Sequence, residues 1–389
     1  MSQPDRIHRL LAHHSRHAGH SPVRLFQAPG RVNLLGEHTD YSGGFCMPAA
    51  LNFNTLVAAS PRNDSILRLH SLDFNETAEI SLADLADPVK LPADSHWSAY
   101  CFGVAWSLAQ RGIPLIAADL SLTGNVPLGA GLSSSASVEV ATATALLGLA
   151  GITMPKPEIA LACQFAENNY VGAPCGIMDQ FISAAGVRGN ALAIDTRALT
   201  AELAPIAESL RLVVCNSMVR HSVADGGEYA KVRGEVEEAA GVMGRQLRDV
   251  TLDELIAARS RMSGQAFKRA RHVINDSQRV LDGVGALRAG DATEFGRLMI
   301  AAHASFRDDF EASCTECDLL VDLAIALPGC LGSRLTGGGF GGCTISLVEV
   351  AASDHFAAKL REQYRAATGV DPQVFLCEIA DGAGEVALA

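Results

Sequence analysis

Apolar positions along the chain fall into two successive series of period-two and helically spaced segments. Residues 6–19 are amphipathic and predict a surface helix closed by Gly19. Residues 23–28 alternate weakly, as a strand entering a glycine-rich stretch, and further strands are predicted at 51–59, 66–72, 77–82 and 115–122. Tyr100, Val104 and Leu108 recur at helical spacing, with Gly112 as the stop. Helices are predicted over 133–149 and 157–170, the second accepting Pro157 in its first turn. The pattern restarts near residue 185 with strands at 191–195 and 210–216, then a run of helices from 228 to about 327. Strands at 333–336 and 344–350, a helix to about 366 and a strand at 374–379 complete it. Neither half shows strict β-α alternation, so the expected class is α+β, in two domains. A boundary within 185–210 divides the chain into residues 1–195 and 196–389.

Composition adds exclusions. Hydrophobic residues make up 48% of 389, ample for real cores, and the net charge of −12 argues against nucleic-acid or anionic-membrane binding. Local loops and helix ends can still hold phosphate in an acidic protein. There is no basic, then apolar, leader and no uninterrupted apolar run of 18 residues; the ten cysteines form no framework of spacings. The expectation is a cytoplasmic protein with reduced thiols. Cys314 and Cys317 have half a zinc spacing, but no second pair follows, and two cysteines on one helix is the simpler reading. His8, His13, His14, His17 and His20 cluster without acidic neighbours and read as a solvated helix surface.

The stretch Gly30–Gly44 packs Arg31, Asn33, Glu37, His38, Thr39, Asp40 and Tyr41 between Pro29 and four glycines. It reads as a sharply turned loop able to recognise a small hydroxyl-rich molecule, against the plainer alternative of a polar surface turn. In a dry pocket each hydroxyl left without a partner costs about 1–3 kcal/mol, so such a ligand needs this density of donors and acceptors.

A second loop, Leu122–Ser137, follows a predicted strand and opens a helix at Ser133, Ser134 and Ser135. Gly129 and Gly131 let the backbone around Ala130 and Leu132 curl so that N–H groups converge beside a helix amino terminus, a cradle for polyphosphate. It is neither a Walker loop, lacking Gly-Lys-Ser/Thr, nor a nucleophile elbow. Gly337–Gly342 contains Gly-x-Gly-x-x-Gly, but a strand follows it, which fits a glycine hairpin close to a ligand or backbone rather than a dinucleotide site. Asp179 stands in an otherwise neutral segment, as a helix cap or a functional group, and Glu167 is a candidate magnesium ligand or an ordinary helix residue.

These stretches, in this order, resemble the three motifs of the GHMP small-molecule kinases, and Gly30–Tyr41 resembles the galactokinase signature in particular. The resemblance runs on through Gly176–Gln180 and Leu335–Thr344. It implies a two-domain α+β architecture with the active site in the interdomain cleft, and ATP-dependent phosphorylation of galactose at its anomeric hydroxyl, opening galactose catabolism. It further implies Asp179 as catalytic base with Arg31 beside it, and Glu37, His38, Thr39, Asp40, Gly176 and Tyr229 around the sugar. Ser71 and Gly129, Ala130, Gly131, Leu132, Ser133, Ser134 and Ser135 would meet ATP; Ser135 and Glu167 would hold Mg2+. A kinase for N-acetylgalactosamine or arabinose is the nearest alternative, a non-catalytic sugar sensor a remoter one. The expected partners are galactose and ATP, with no nucleic acid or membrane, and the expected state is a monomer.

Overall fold

The computed structural model describes residues 2–18, 22–86, 96–220 and 227–388. Helix α1 (Gln3–Ala18) precedes β1 (Arg24–Asn33), β2 (Phe45–Cys46), β3 (Pro48–Pro61), β4 (Ile66–Ser71), β5 (Glu76–Ser81), α2 (His96–Gln110), β6 (Ala118–Gly124), α3 (Ser134–Leu149), α4 (Lys156–Ala166) and α5 (Met178–Ala185). After these come β7 (Asn190–Asp195), β8 (Thr200–Pro205), β9 (Leu210–Arg220), α6 (Gly227–Met243), α7 (Leu252–Ala257), α8 (Gly264–Arg288), α9 (Ala292–Asp308) and α10 (Thr315–Ile325). The chain closes with β10 (Cys330–Thr336), β11 (Gly341–Glu349), α11 (Ser353–Thr368), β12 (Gln373–Cys377) and β13 (Gly384–Val386).

Six strands pair in the order β13-β1-β3-β6-β4-β5, with β4 and β6 parallel. Alternation along β1 and β3 explains how this sheet is buried on both sides. Phe26, Ala28, Val57 and Ala59 join the core under α2, α3 and α4, whereas Leu25, Leu56 and Ala58 meet Leu10 of α1. A four-stranded antiparallel sheet, β10-β11-β9-β12, and a three-stranded one, β2-β7-β8, form the rest. The mixture without regular β-α alternation is α+β. Among the described residues no helix is long and apolar enough to cross a membrane.

Several expectations change. The strand expected at 23–28 continues to Asn33, so Gly30 and Arg31 are not in a loop. The β1–β3 register shifts between Pro29 and Arg31, and residues 31–33 then pair with 48–50. Arg31 therefore rises from a paired strand. The first helix is not wholly solvated: His14 is buried, its Nδ1 facing Ser121 Oγ at 2.9 Å and its Nε2 facing Ser60 Oγ at 2.8 Å. Gly19 and His20 lie outside the described residues. The helix expected at 157–170 is α4 followed by a π turn over Glu167–Val171, which rotates Glu167 inward.

Candidate active site

The site is assembled around Arg31. Its backbone N–H donates to Leu132 O at 3.0 Å and its Nη1 donates to Gly131 O, stapling the end of β1 to the serine loop. A Cβ at Gly30 would lie 2.6 Å from Leu132 O, so the approach requires glycine. The remaining guanidinium edge grips Asp179, in the first turn of α5: Nε and Nη2 donate to Oδ1 and Oδ2, both at 2.7 Å. This is the bidentate fork that a planar guanidinium makes with a carboxylate. Burial works against the Arg31 charge, but Asp179, Glu37 and Asp40 outweigh it and hold the guanidinium above its ordinary value. Ser133, in a left-handed conformation before α3, makes no cap bond and donates its hydroxyl to Asp179 Oδ2 instead.

Asp179 opens onto a cavity of about 610 Å³ lined by Glu37, His38, Asp40, Gly176, Tyr229 and Gly338, among others. Glu37 is buried and its Oε1 accepts from Gly337 N–H at 2.8 Å. Burial pushes this carboxyl up, against the downward pull of Arg334 and Arg31. His38 faces Tyr41 Oη and Gly338 O, each at 3.1 Å, and packs on Phe310 at 4.5 Å; burial holds the imidazole down to about 3, hence neutral. Asp40 accepts from Tyr41 N–H at 3.0 Å and Met178 N–H at 3.2 Å, and a Cβ at Gly176 would lie 1.8 Å from its Oδ2. Thr39 does not line this cavity. Its hydroxyl serves the carbonyls of Gly36 and Phe45, at 2.9 and 2.6 Å, and the residue is fully buried, so its side chain braces the loop from behind.

A neighbouring cavity of about 480 Å³ is lined by Ser71, Ser134 and Ser135 together with Asp73, Phe74 and Trp97; Tyr100 borders both cavities. Gly129 and Gly131 have φ of 68° and 75°, so this loop needs the left-handed region that glycine supplies. Ala130 and Leu132 bury their side chains and offer only backbone. Ser71 is buried at the cavity edge, where its hydroxyl accepts from Phe74 N–H at 3.2 Å. Glu167 is buried beside Ser135: Gln180 Nε2 donates to its Oε2 at 2.6 Å, and Cys175 Sγ lies 3.3 Å away. Burial pushes this carboxyl up to about 7, and repulsion from Asp179 adds to the rise. Glu139 shares Gln180 at 3.1 Å, while its Oε1 has no hydrogen-bond partner among the described residues. A hydroxyl with one or two buried carboxylates is a hard oxygen donor set that suits magnesium completed by phosphate oxygens.

Residues without a sequence signal hold the sugar-side wall. Asp276, on α8, accepts from Gly36 N–H and Glu37 N–H, both at 2.9 Å, and is itself gripped by Arg279 Nη1 at 3.1 Å. His272, one turn earlier, faces Glu37 O at 3.3 Å. Arg334 is fully buried and donates to Leu34 O at 3.2 Å. Phe74 and Trp97 stack with centroids 6.3 Å apart at the second cavity, a pairing that only the fold reveals.

Three family models match: the galactokinase galactose-binding signature over residues 12–61, the GHMP kinases N terminal domain over 99–187 and the GHMP kinases C terminal over 284–366. The galactokinase of Chloroflexus aurantiacus is 44% identical over 379 residues, covering 96% of each chain. That of Homo sapiens is 43% identical over 371, covering 94% of this chain and 93% of the other. The crystal structure of Lactococcus lactis galactokinase complexed with galactose aligns with a TM-score of 0.92 and 30% identity, over 98% of this chain and all of the other. A mevalonate kinase, 20% identical with a TM-score of 0.63 over 92% of this chain and 99% of its own, shares the fold. The signature, the two domains and the near-complete alignments agree: the chain belongs to the galactokinase family of GHMP kinases.

Proposed function

We propose that this enzyme transfers the γ-phosphoryl group of ATP to the anomeric hydroxyl of α-D-galactose, giving galactose 1-phosphate and ADP. The observation that carries the reading is Asp179, held by both arms of Arg31 and by Ser133 on the wall of a polar cavity that adjoins the serine-loop cavity. In the proposed step the sugar's anomeric oxygen attacks the γ-phosphorus and its proton passes to Asp179, while the bond to the bridging β,γ-oxygen breaks and ADP leaves. Phosphoryl transfer relies mainly on positioning and charge neutralisation. Arg31 supplies a buried cation next to the base, and its pairing keeps the carboxylate pointed at the acceptor.

Glu37, His38, Asp40 and Tyr229 would read the sugar hydroxyls, with Gly176 leaving room for Asp40. The imidazole of His38, neutral and with its nitrogens facing Tyr41 Oη and Gly338 O, brings no charge to this wall. Gly129 to Ser135 would wrap the phosphates, and Ser71 would flank the nucleotide. The hydroxyl of Ser135 and the carboxylate of Glu167 would hold Mg2+, which supplies neutralisation of phosphate charge when bound. The same reading takes residues 1–195 and 196–389 as two lobes of a cytoplasmic monomer, with β13 returning to the first lobe's sheet.

ADP release from ATP and magnesium, measured across galactose, N-acetylgalactosamine and arabinose, tests the proposal. The highest kcat/KM is expected for galactose. Faster turnover of either other sugar, or none with any, overturns it. The intact Asp179–Arg31 pair favours catalysis over a sensor role.

A further inference from the structure

Cys314 and Cys317 take no part in the proposed chemistry, yet their setting differs from that of every other cysteine. Cys314 is the half-buried N-cap residue of α10, in an extended conformation, and Cys317 is fully buried one turn further on. Side chains three apart at a helix start have Cβ atoms about 5–6 Å apart, and a disulfide brings them to about 3.5–4.5 Å. The Cys317 thiol approaches the Cys314 sulfur and, as the leading influence, holds the Cys314 thiol below its ordinary value; all nine other thiols are pushed up, eight of them chiefly by burial and Cys317 first by Cys314 itself. The positive end of α10 adds to the effect. A half-buried thiol thus sits one helical turn from a fully buried one.

The segment leading into Cys314 also braces the sugar-side wall. Phe306 and Phe310 pack on His38 with centroids at 5.8 and 4.5 Å. Ala312 O accepts from Phe340 N–H at 2.7 Å, inside the glycine hairpin whose Gly337 N–H holds Glu37 and whose Gly338 O faces His38. A Cβ at Gly339 would lie 2.4 Å from Ala312 O, so there is no slack in this clamp. Cys314 stands two residues along the chain from Ala312.

We propose that Cys314 and Cys317 are a reversible redox modification site, closed to a disulfide by a low-molecular-weight disulfide such as oxidised glutathione, and that closure releases the hairpin clamp and weakens the sugar site. In the first step the Cys314 thiolate attacks one sulfur of glutathione disulfide, whose S–S bond breaks to expel a glutathione thiolate. Cys317 then loses its proton and attacks Cys314 Sγ, expelling the second glutathione thiolate. The protein gives up two protons and two electrons, and one glutathione disulfide takes them up to become two thiols. The effect on galactose rests on the proposed function; the disulfide and the hairpin do not.

The test incubates the full chain in glutathione buffers of graded redox ratio, alkylates the remaining thiols and maps the peptides by mass spectrometry. Hydrogen exchange is followed at the Phe340 amide, and galactose binding by calorimetry. Wild type should lose two of its ten alkylatable thiols as a Cys314–Cys317 cross-link. Phe340 exchange should rise, and the galactose Kd by about tenfold, the equivalent of one hydrogen bond lost; dithiothreitol should reverse both. Cys314→Ser should form no cross-link and keep the reduced wild-type behaviour in oxidising buffer, whereas Cys317→Ser should stop at a glutathione adduct on Cys314. Absence of the cross-link in wild type at full oxidation, or a cross-linked protein with unchanged Phe340 exchange, overturns the proposal. A reduced protein that binds no galactose would instead count against the proposed function.

Discussion

Replacing Gly176 by alanine would set a new Cβ 1.8 Å from Asp40 Oδ2 and 2.1 Å from its Cγ. Gly176 is not among the positive-φ glycines, so the perturbation is steric alone. Ordinary contact lies at about 3.5 Å, so the carboxylate must retreat by roughly 1.5 Å or more. It cannot do so while it accepts from Tyr41 N–H at 3.0 Å and Met178 N–H at 3.2 Å. Hydrogen bonds to a charged group contribute about 1.5–3 kcal/mol each, and a displaced Asp40 forfeits a sugar hydroxyl on the same scale. The expected result is a fall in kcat/KM of about 10–100-fold, carried mostly by galactose KM. Steady-state kinetics with galactose and ATP varied separately measure the split. A double-mutant cycle with Asp40→Ala supplies the sharper readout, because the clash vanishes once the carboxylate is gone. Gly176→Ala should then change kcat/KM by less than about threefold in that background. A wild-type galactose KM in the single variant, or the full penalty persisting without Asp40, would refute the reasoning.

Three further outcomes are expected. Asp179→Asn should abolish turnover while galactose binding by calorimetry largely survives; near-normal ADP release would remove Asp179 from the role of base. Asp276→Ala leaves the Gly36 and Glu37 N–H groups buried without an acceptor, at about 1–3 kcal/mol each, so urea unfolding should move to lower concentration and galactose KM should rise. Asp276→Asn should recover part of both, and a KM untouched by the alanine change would show that the wall does not need this brace. His272 is held down to about 4 by burial, against 6.5 in the unfolded chain, so between these values the unfolded state binds more protons. Stability therefore falls as pH drops from about 6.5 to about 4, by roughly 3 kcal/mol for this group. His272→Gln should flatten the pH dependence of the urea midpoint across that window, and an unchanged slope would count against it.

The motif loops were legible in sequence because their physics is local. Gly129, Gly131 and the glycines of residues 337–342 mark turns wherever they fall, and a serine-rich helix start announces a phosphate cradle without reference to distant chain. What escaped depends on contacts far apart in sequence. Pro29 and Gly30 read as the end of a strand, and only pairing with residues 48–50 carries β1 on to Asn33. Thr39 looked equivalent to Glu37 and Asp40 because polarity does not reveal direction; its hydroxyl faces inward to Gly36 and Phe45. Asp276 and His272 lie in an ordinary amphipathic helix, and their partner loop is more than two hundred residues earlier. His14 looked solvated among its neighbours until β6 and β3 supplied Ser121 and Ser60.

The pairing of β13 with β1 bears on how the enzyme is made. Leu25, Phe26 and Gln27 meet Val386, Glu385 and Gly384, and Arg24 joins Glu385 across a separation of 361 residues. On the ribosome the strand that carries Arg31 therefore keeps one open edge while all the intervening chain emerges. Such an edge is a place where unfinished chains can pair with one another. Closing it is a contact of very high sequence separation, expected late in folding. Removing residues 384–386 should therefore reduce the yield of native protein during synthesis more than it impairs the molecules that do fold.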